Sequence, residues 1–333
     1  GAAGSVLAGP LADLLGWRGI FSVPFIAAIL GVVLVLALVP VRGVRAEGRV
    51  NGLSATLLSA WLVALLVPLS SGAHWGWGSP VTVGLFAGAA VLLIAWVAAE
   101  LRSRNPLVDL RMLAARAVWP VNAAAFLIGA AAFGFWGYLP QFLETPATTG
   151  WGLGLGVQAA GLALLPLLAG MSGIGFAAGA IARVLPLRVM LAIGALLMAV
   201  GVGSAIASHT ALWQLSVAGG LFGLGIGLSY ASMSSIVVQS VPADRTGVAT
   251  GVNANLRTIG SAVGSALMSA IVFGSTGSDG SPAQTGYDVA WLSVAAMAVL
   301  AAAIVMAVRP RRSVAQSDDD VETVEDGELA SAA

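Results

Sequence analysis

Nine stretches of the chain run for about 18 to 25 residues with scarcely a charge in them, and no other feature narrows the possible folds so far. They cover roughly 20–40, 53–70, 80–99, 118–140, 158–181, 188–207, 212–237, 248–273 and 288–308, and a partial run covers roughly 1–12. A helix rises about 1.5 Å per residue, so about 20 residues cross the ~30 Å hydrocarbon core of a bilayer. Each run is therefore predicted to be a membrane-spanning helix. A transmembrane β-barrel would instead alternate weakly over segments of about ten residues, a pattern not found in this sequence. The composition agrees: 58% of the residues are hydrophobic and 9% charged, with a mean hydropathy of +0.94, where a soluble domain carries about 25% charged residues. The predicted fold class is an all-α polytopic membrane protein. Its 43 glycines suit helices that pack closely in lipid.

The basic residues orient these spans. All 15 are arginines. If the 41–52 loop is cytoplasmic and the spans alternate from there, 13 of the 15 fall in cytoplasmic segments: Arg42, Arg45, Arg49; Arg102, Arg104, Arg111, Arg116; Arg183, Arg188; Arg245; and Arg309, Arg311, Arg312. Outer loops keep only Arg18, and Arg257 is left inside a span. This asymmetry follows the positive-inside rule and predicts a multi-pass protein of the plasma (inner) membrane with a cytoplasmic C-terminus. Seven of the 15 acids lie after Gln316, so residues 309–333 read as a disordered acidic tail. The outer loops hold Trp75, Trp77 and Trp151, which suit the headgroup belt. There is no cysteine, hence no disulfide and no thiolate metal site. No phosphate loop, metal-ligand cluster or nucleophile–base pair occurs, so the chain does not read as an enzyme. The arginines follow topology rather than one basic patch, which argues against nucleic-acid binding.

Arg257 is the anomaly, because a guanidinium within a span is costly unless it is paired, snorkels or faces water. It lies ten residues beyond Gly247, roughly 15 Å along the helix. Thr250, Asn253 and Ser261 share its face at helical spacing, and Gly247/Gly251 and Gly260/Gly264 offer close packing on or beside it. Two readings stand: an arginine facing the protein interior, or one reaching cytoplasmic headgroups.

Other candidates follow from spacing. Asn122, Phe126, Gly129, Phe133 and Trp136 fall on one stripe of the 118–140 span, and Gly223, Gly227, Tyr230 and Ser234 on one stripe of 212–237. Either stripe suits a cavity lining for apolar or cationic organic molecules, through packing and cation–π contact, or helix packing. Pro166 is placed to kink its helix. Every acid falls at a loop or a helix end. Glu144, at an outer mouth, is the candidate for proton coupling, with a plain loop charge as the alternative.

At "ELRSRNPLVDLRML" (100–113) the sequence resembles the fourteen-helix drug:proton antiporters of the major facilitator superfamily. Three further stretches carry the resemblance: "GSVLAGPLADLLGWRGIF" (4–21), "YLPQFLETPATTGWGLGLGVQAAGLALLP" (138–166) and "VPADRTGVATGVNANLRTIGSAVGSALM" (241–268). The family's antiporter motif aligns Gly4 and Ser5 with its G-P pair and Ala8 and Gly9 with its G-G pair, so Ser5 and Ala8 depart from it. The resemblance implies a major facilitator fold lacking its first four helices, since the chain opens at Gly1 inside an apolar run. Residues 1–40 would be the end of helix 5 and helix 6. Residues 41–117 would be cytoplasmic linkers with two extra central helices, and 118–308 a complete six-helix half. It also implies a secondary transporter, monomeric in membrane lipid, that exports drug-like or amphipathic small molecules by alternating access. The proton gradient would supply the energy, with no cofactor, and the coupling residues would lie in the absent helices. The competing readings are a metabolite uptake transporter of the same superfamily, and a truncated inactive product or membrane scaffold.

Overall fold

The computed structural model describes residues 51–308, save 104, 105, 107, 109, 117, 243, 244 and 276–281, together with 16, 18, 19 and 21–38. Gly4, Ser5, Ala8, Gly9 and the acidic tail lie outside the described residues. Among those described there is helix and no β-strand. Eight helices are long and apolar enough to cross a membrane, and the 17-residue α1 (Ser22–Leu38) is a shorter apolar helix. The nine full apolar runs read from the sequence each contain one such span, and the partial run at 1–12 lies outside the described residues.

A helical hairpin comes next. Helix α2 (Gly52–Trp75) begins at Asn51, whose side chain accepts from the Ser54 amide at 3.3 Å, and α3 (Pro80–Arg102) begins at Ser79, which accepts from Thr82 at 3.3 Å. Such caps satisfy amides that a helix start leaves without partners, and Pro80 loses nothing in the first turn. Between them Gly76 takes a φ of +85°, a conformation open to glycine. Trp61 and Trp96 stack across the hairpin at 6.2 Å, and Asn51 Nδ2 donates to Ser103 Oγ at 3.1 Å. The hairpin packs chiefly, through α2, on a later helix, α11 (Thr246–Gly274).

After a short α4 (Leu110–Leu113) comes a six-span block. Helix α5 (Trp119–Trp136) stops at Gly137 and the chain resumes as α6 (Leu139–Glu144), with Pro140 in its first turn. The next span is broken the same way, into α7 (Val157–Ala163) and α8 (Leu165–Ile181), with Pro166 just past the break at Leu164. Proline cannot donate to the preceding turn and clashes with it, and the kink read at Pro166 is seen as a one-residue break at Leu164, whose backbone stays in the right-handed helical region within the span Val157–Ile181. Helices α9 (Leu187–Ala207), α10 (Leu212–Ser240), α11 and α12 (Gln284–Ala307) are continuous.

The packing order has a two-fold pattern. Helix α5 packs on α11, as α10 packs on α8; α9 packs on α10, as α12 packs on α5; and α9 meets α12. Exchanging the set α5, α8, α9 for the set α10, α11, α12 maps these principal contacts onto one another, as an internal repeat would, while the lesser α11–α12 and α10–α11 contacts have no comparable counterpart among the described residues. An aromatic cluster fills one end: Phe135, Phe142, Phe222, Tyr287 and Trp291 are buried with ring centroids 4.6–6.1 Å apart in successive contacts. Trp151 joins it at 5.2 Å from Phe142 and is half-buried there. At the other end Arg188 donates to the carbonyl of Val308 at the close of α12, where a cation meets the negative end of a helix.

Candidate functional site

The site grows from a seam in which two helix backbones touch. Gly260 and Gly264 of α11 and Gly129 of α5 leave no room for a β-carbon: one built there would overlap the carbonyls of Phe126, Ala130 and Arg257 respectively. Larger residues at these three positions would force the helices apart, so the sequence sets the interhelical distance with glycine. Gly247 and Gly251, also spaced by four, face open space instead.

Polar side chains are set into this seam. Asn253 is 3% exposed and its Nδ2 donates to Oδ1 of buried Asn122 at 3.0 Å. Ser261 Oγ donates within 3.1 Å of the Gly129 carbonyl and lies 3.0 Å from that of Arg257. Thr250 Oγ1 bonds back to Thr246 at 2.8 Å. Arg257 is half-buried, with its guanidinium carbon 4.4 Å from the centre of the Tyr230 ring. A guanidinium over an aromatic face is attracted by the ring quadrupole, the more so where water is scarce. The span's lone arginine thus lies against a second helix, α10. Ser234, one turn beyond Tyr230 on α10, is exposed.

A pocket of about 400 Å³ opens beside the seam, between α2, α5 and α11. Phe133 and Ser261 line it, with Tyr138, Ser265 and Ser269 from the same two spans and Ser70 and Trp77 from the hairpin. It lies at the end of the bundle where α2 finishes and α11 approaches its last turns. Tyr138 Oη donates to the Ser265 carbonyl at 3.1 Å.

The residues singled out from spacing are therefore distributed. The stripe on α5 divides: Asn122, Gly129 and the Phe126 backbone are in the seam, Phe133 faces the pocket, and Trp136 packs on the core. On α10, Gly223 and Gly227 meet the backbone of α8, leaving Tyr230 for Arg257. Glu144 is exposed at the end of α6. Sequence reasoning missed the hydroxyl row Ser265 and Ser269, although its spacing continues from Ser261. Trp77, in the turn of the hairpin, rests its indole over Gly72, where a β-carbon would come within 2.8 Å of it. Glu100, read as a helix-end charge, is 3% exposed in the last turn of α3. Among the described residues no group of acids and histidines is placed to hold a metal ion.

Comparisons with known proteins agree with this architecture. The sequence profile described as Major Facilitator Superfamily matches residues 1–265 and 176–323. The Multidrug resistance protein Stp of Mycobacterium tuberculosis is 29% identical over 276 residues, covering 81% of this chain and 49% of that protein. The Tetracycline resistance determinant of Streptomyces rimosus is 30% identical over 226 residues, or 66% of this chain and 63% of its own length. The Tetracenomycin C resistance and export protein of Streptomyces glaucescens is 29% identical over 285 residues, 81% and 50% respectively. The chain spans about half the length of most of these relatives. Membrane-length helices, an internally repeated six-span block and a family match across almost all the sequence lead to one conclusion: this chain belongs to the major facilitator superfamily.

Proposed function

We propose that the protein is a proton-coupled exporter of drug-like or amphipathic small molecules, working by alternating access in the plasma membrane with its C-terminus in the cytoplasm. The observation that carries this is Arg257 held over Tyr230 at the rim of a polar helix seam, next to a pocket of ligand size. A charge kept within the membrane at such cost belongs to a pathway more often than to a scaffold. The names of the relatives, which specify resistance to or export of antibiotics, support the direction of transport. The hairpin Gly52–Arg102 ahead of a six-span block supports the fourteen-helix arrangement, with this chain holding helices 6 to 14 and the end of helix 5. Four further spans would then precede Gly1, in keeping with relatives of about twice the matched length. On this reading the working protein is a monomer in lipid, needs no cofactor, and carries its proton on an acid of those upstream helices.

The test is to express the full protein in a host stripped of its main efflux pumps and to follow dye accumulation. Lowered accumulation, restored by a protonophore, is expected. No effect on any dye or drug would sink the export reading. Sequencing upstream of Gly1 should reveal four more apolar runs.

A further inference from the structure

We propose that the hairpin α2–α3 forms one wall of a substrate pocket, and that this pocket selects uncharged, flat aromatic molecules bearing ring oxygens. The proposal rests on the export reading for its physiological meaning but on the pocket itself for its chemistry. Three kinds of surface meet there.

Helix α11 supplies a row of hydroxyls, Thr258, Ser261, Ser265 and Ser269, at spacings of three and four that keep them on one side. Thr258 and Ser261 are occupied, bonding to Ala254 at 3.1 Å and to the Arg257 and Gly129 carbonyls. Ser265 and Ser269, with Ser70 across the pocket, have hydroxyls that meet no hydrogen-bond partner among the described residues. A hydroxyl can both donate and accept, so these three present free hydrogen-bonding capacity to whatever enters.

Rings form the second surface. Trp77 from the hairpin, Phe133 from α5 and Tyr138 just past it line the same space. The Tyr138 ring is anchored by its bond to the Ser265 carbonyl. The Trp77 ring rests on Gly72, which leaves room for it, and stays partly exposed. Flat rings prefer offset or edge contact with other rings.

The third feature is charge. None of the lining residues is an acid or a base of the Asp, Glu, Lys, Arg or His type. Arg257, one turn from Ser261, is turned toward Tyr230 instead. An organic cation would enter without a counter-charge and with a guanidinium nearby; an anion would rest its charge on neutral hydroxyls. Neither ion would find an opposite charge among the lining residues, whereas phenol, quinone and carbonyl oxygens are matched by the hydroxyls. The volume, about 400 Å³, falls within the range of small-molecule sites. This narrows the earlier sequence reading, which allowed cationic substrates equally.

The probe is 1,8-dihydroxyanthraquinone, with ethidium as the cationic comparison. Two variants bracket the pocket: the triple Ser70→Ala/Ser265→Ala/Ser269→Ala, which removes hydroxyls that hold no partner among the described residues, and Gly72→Val, which pushes Trp77 out. Binding to the purified full protein is measured by equilibrium dialysis, and uptake into inverted membrane vesicles is measured under a proton gradient. The parent is expected to bind and transport the anthraquinone. The triple variant should weaken binding and raise KM about tenfold or more, as the loss of up to three hydrogen bonds implies, with ethidium transport within about twofold. Gly72→Val should do the same to a smaller degree. Unchanged anthraquinone binding in both variants, or no binding by the parent, overturns the proposal. Binding by the parent that the triple variant loses, without transport of either compound, upholds the pocket and removes the export reading instead.

Discussion

The seams α5–α11 and α8–α10 occupy equivalent places in the repeat and are built on the same backbone device. In the first, Gly129, Gly260 and Gly264 press against the facing carbonyls; in the second, Gly170, Gly223 and Gly227 do so against Gly220, Leu167 and Met171. Their side chains differ. The α8–α10 seam is closed by Leu167, Met171 and Ile174. The α5–α11 seam contains the Asn122–Asn253 pair, Ser261 and Arg257. Since the apolar seam shows that the fit needs no polar group, the polar inlay of the other is not explained by packing. Hydrogen bonds between helices in a membrane are worth about 0.6 kcal/mol on average, too little to select such residues for stability. The glycines set the backbone approach in both seams, and the polar inlay is what distinguishes the α5–α11 seam from its counterpart.

The strongest test breaks the shared device. Gly260→Leu and Gly223→Leu should each destabilise the protein by about 3 kcal/mol or more through overpacking, seen as loss of monodisperse protein and a lowered thermal midpoint in detergent. Gly251→Leu, facing open space, should melt like the parent. Next comes the guanidinium. Arg257→Ala should reduce export about tenfold, equivalent to about 1.4 kcal/mol and within the range of a desolvated cation–π contact, with the melting midpoint little changed. Arg257→Lys should retain part of the activity. Parent-like transport by both would remove any functional role for Arg257. Smaller is the amide pair: Asn253→Leu strands Asn122 and should cost about 1–2 kcal/mol, and the double variant Asn122→Leu/Asn253→Leu should regain most of it in a double-mutant cycle. The smallest effect belongs outside the seams. Trp61→Leu, which removes the stack on Trp96, should cost less than about 1 kcal/mol.

The spans were legible in the sequence because crossing a bilayer demands length and apolarity, and both are local properties. What hydropathy does not encode is which spans form the core. The hairpin windows have mean hydropathies of 2.0 and 2.3 yet are 11% and 17% buried, whereas Trp119–Glu144 and Leu212–Ser240, at 1.5 and 1.6, are 56% and 61% buried. In lipid an apolar face needs no protein cover, so burial follows small residues and polar pairs. Hence Gly260 and Gly264 were readable as a packing pair, while Gly247 and Gly251, of identical spacing, were not distinguishable from them. Arg257 was conspicuous by its cost. Its partner Tyr230 is 27 positions away on another helix, a separation that spacing along one helix cannot bridge. Ser70 and Trp77 were illegible as pocket residues for the same reason: they reach it through the fold of the hairpin turn.

The Asn122–Asn253 bond joins positions 131 residues apart, and this separation has a consequence in time. A ribosome adding about 5–20 residues per second delivers Asn253 roughly 7 to 26 s after Asn122. Throughout that interval α5 is in or near the membrane with an amide whose eventual partner does not exist. Water, a headgroup or the insertion machinery must hold it meanwhile. The polar seam is therefore among the last parts of the core to close during biogenesis, and a nascent chain cannot present its candidate site until α11 has been made and has come back across the bundle to meet α5.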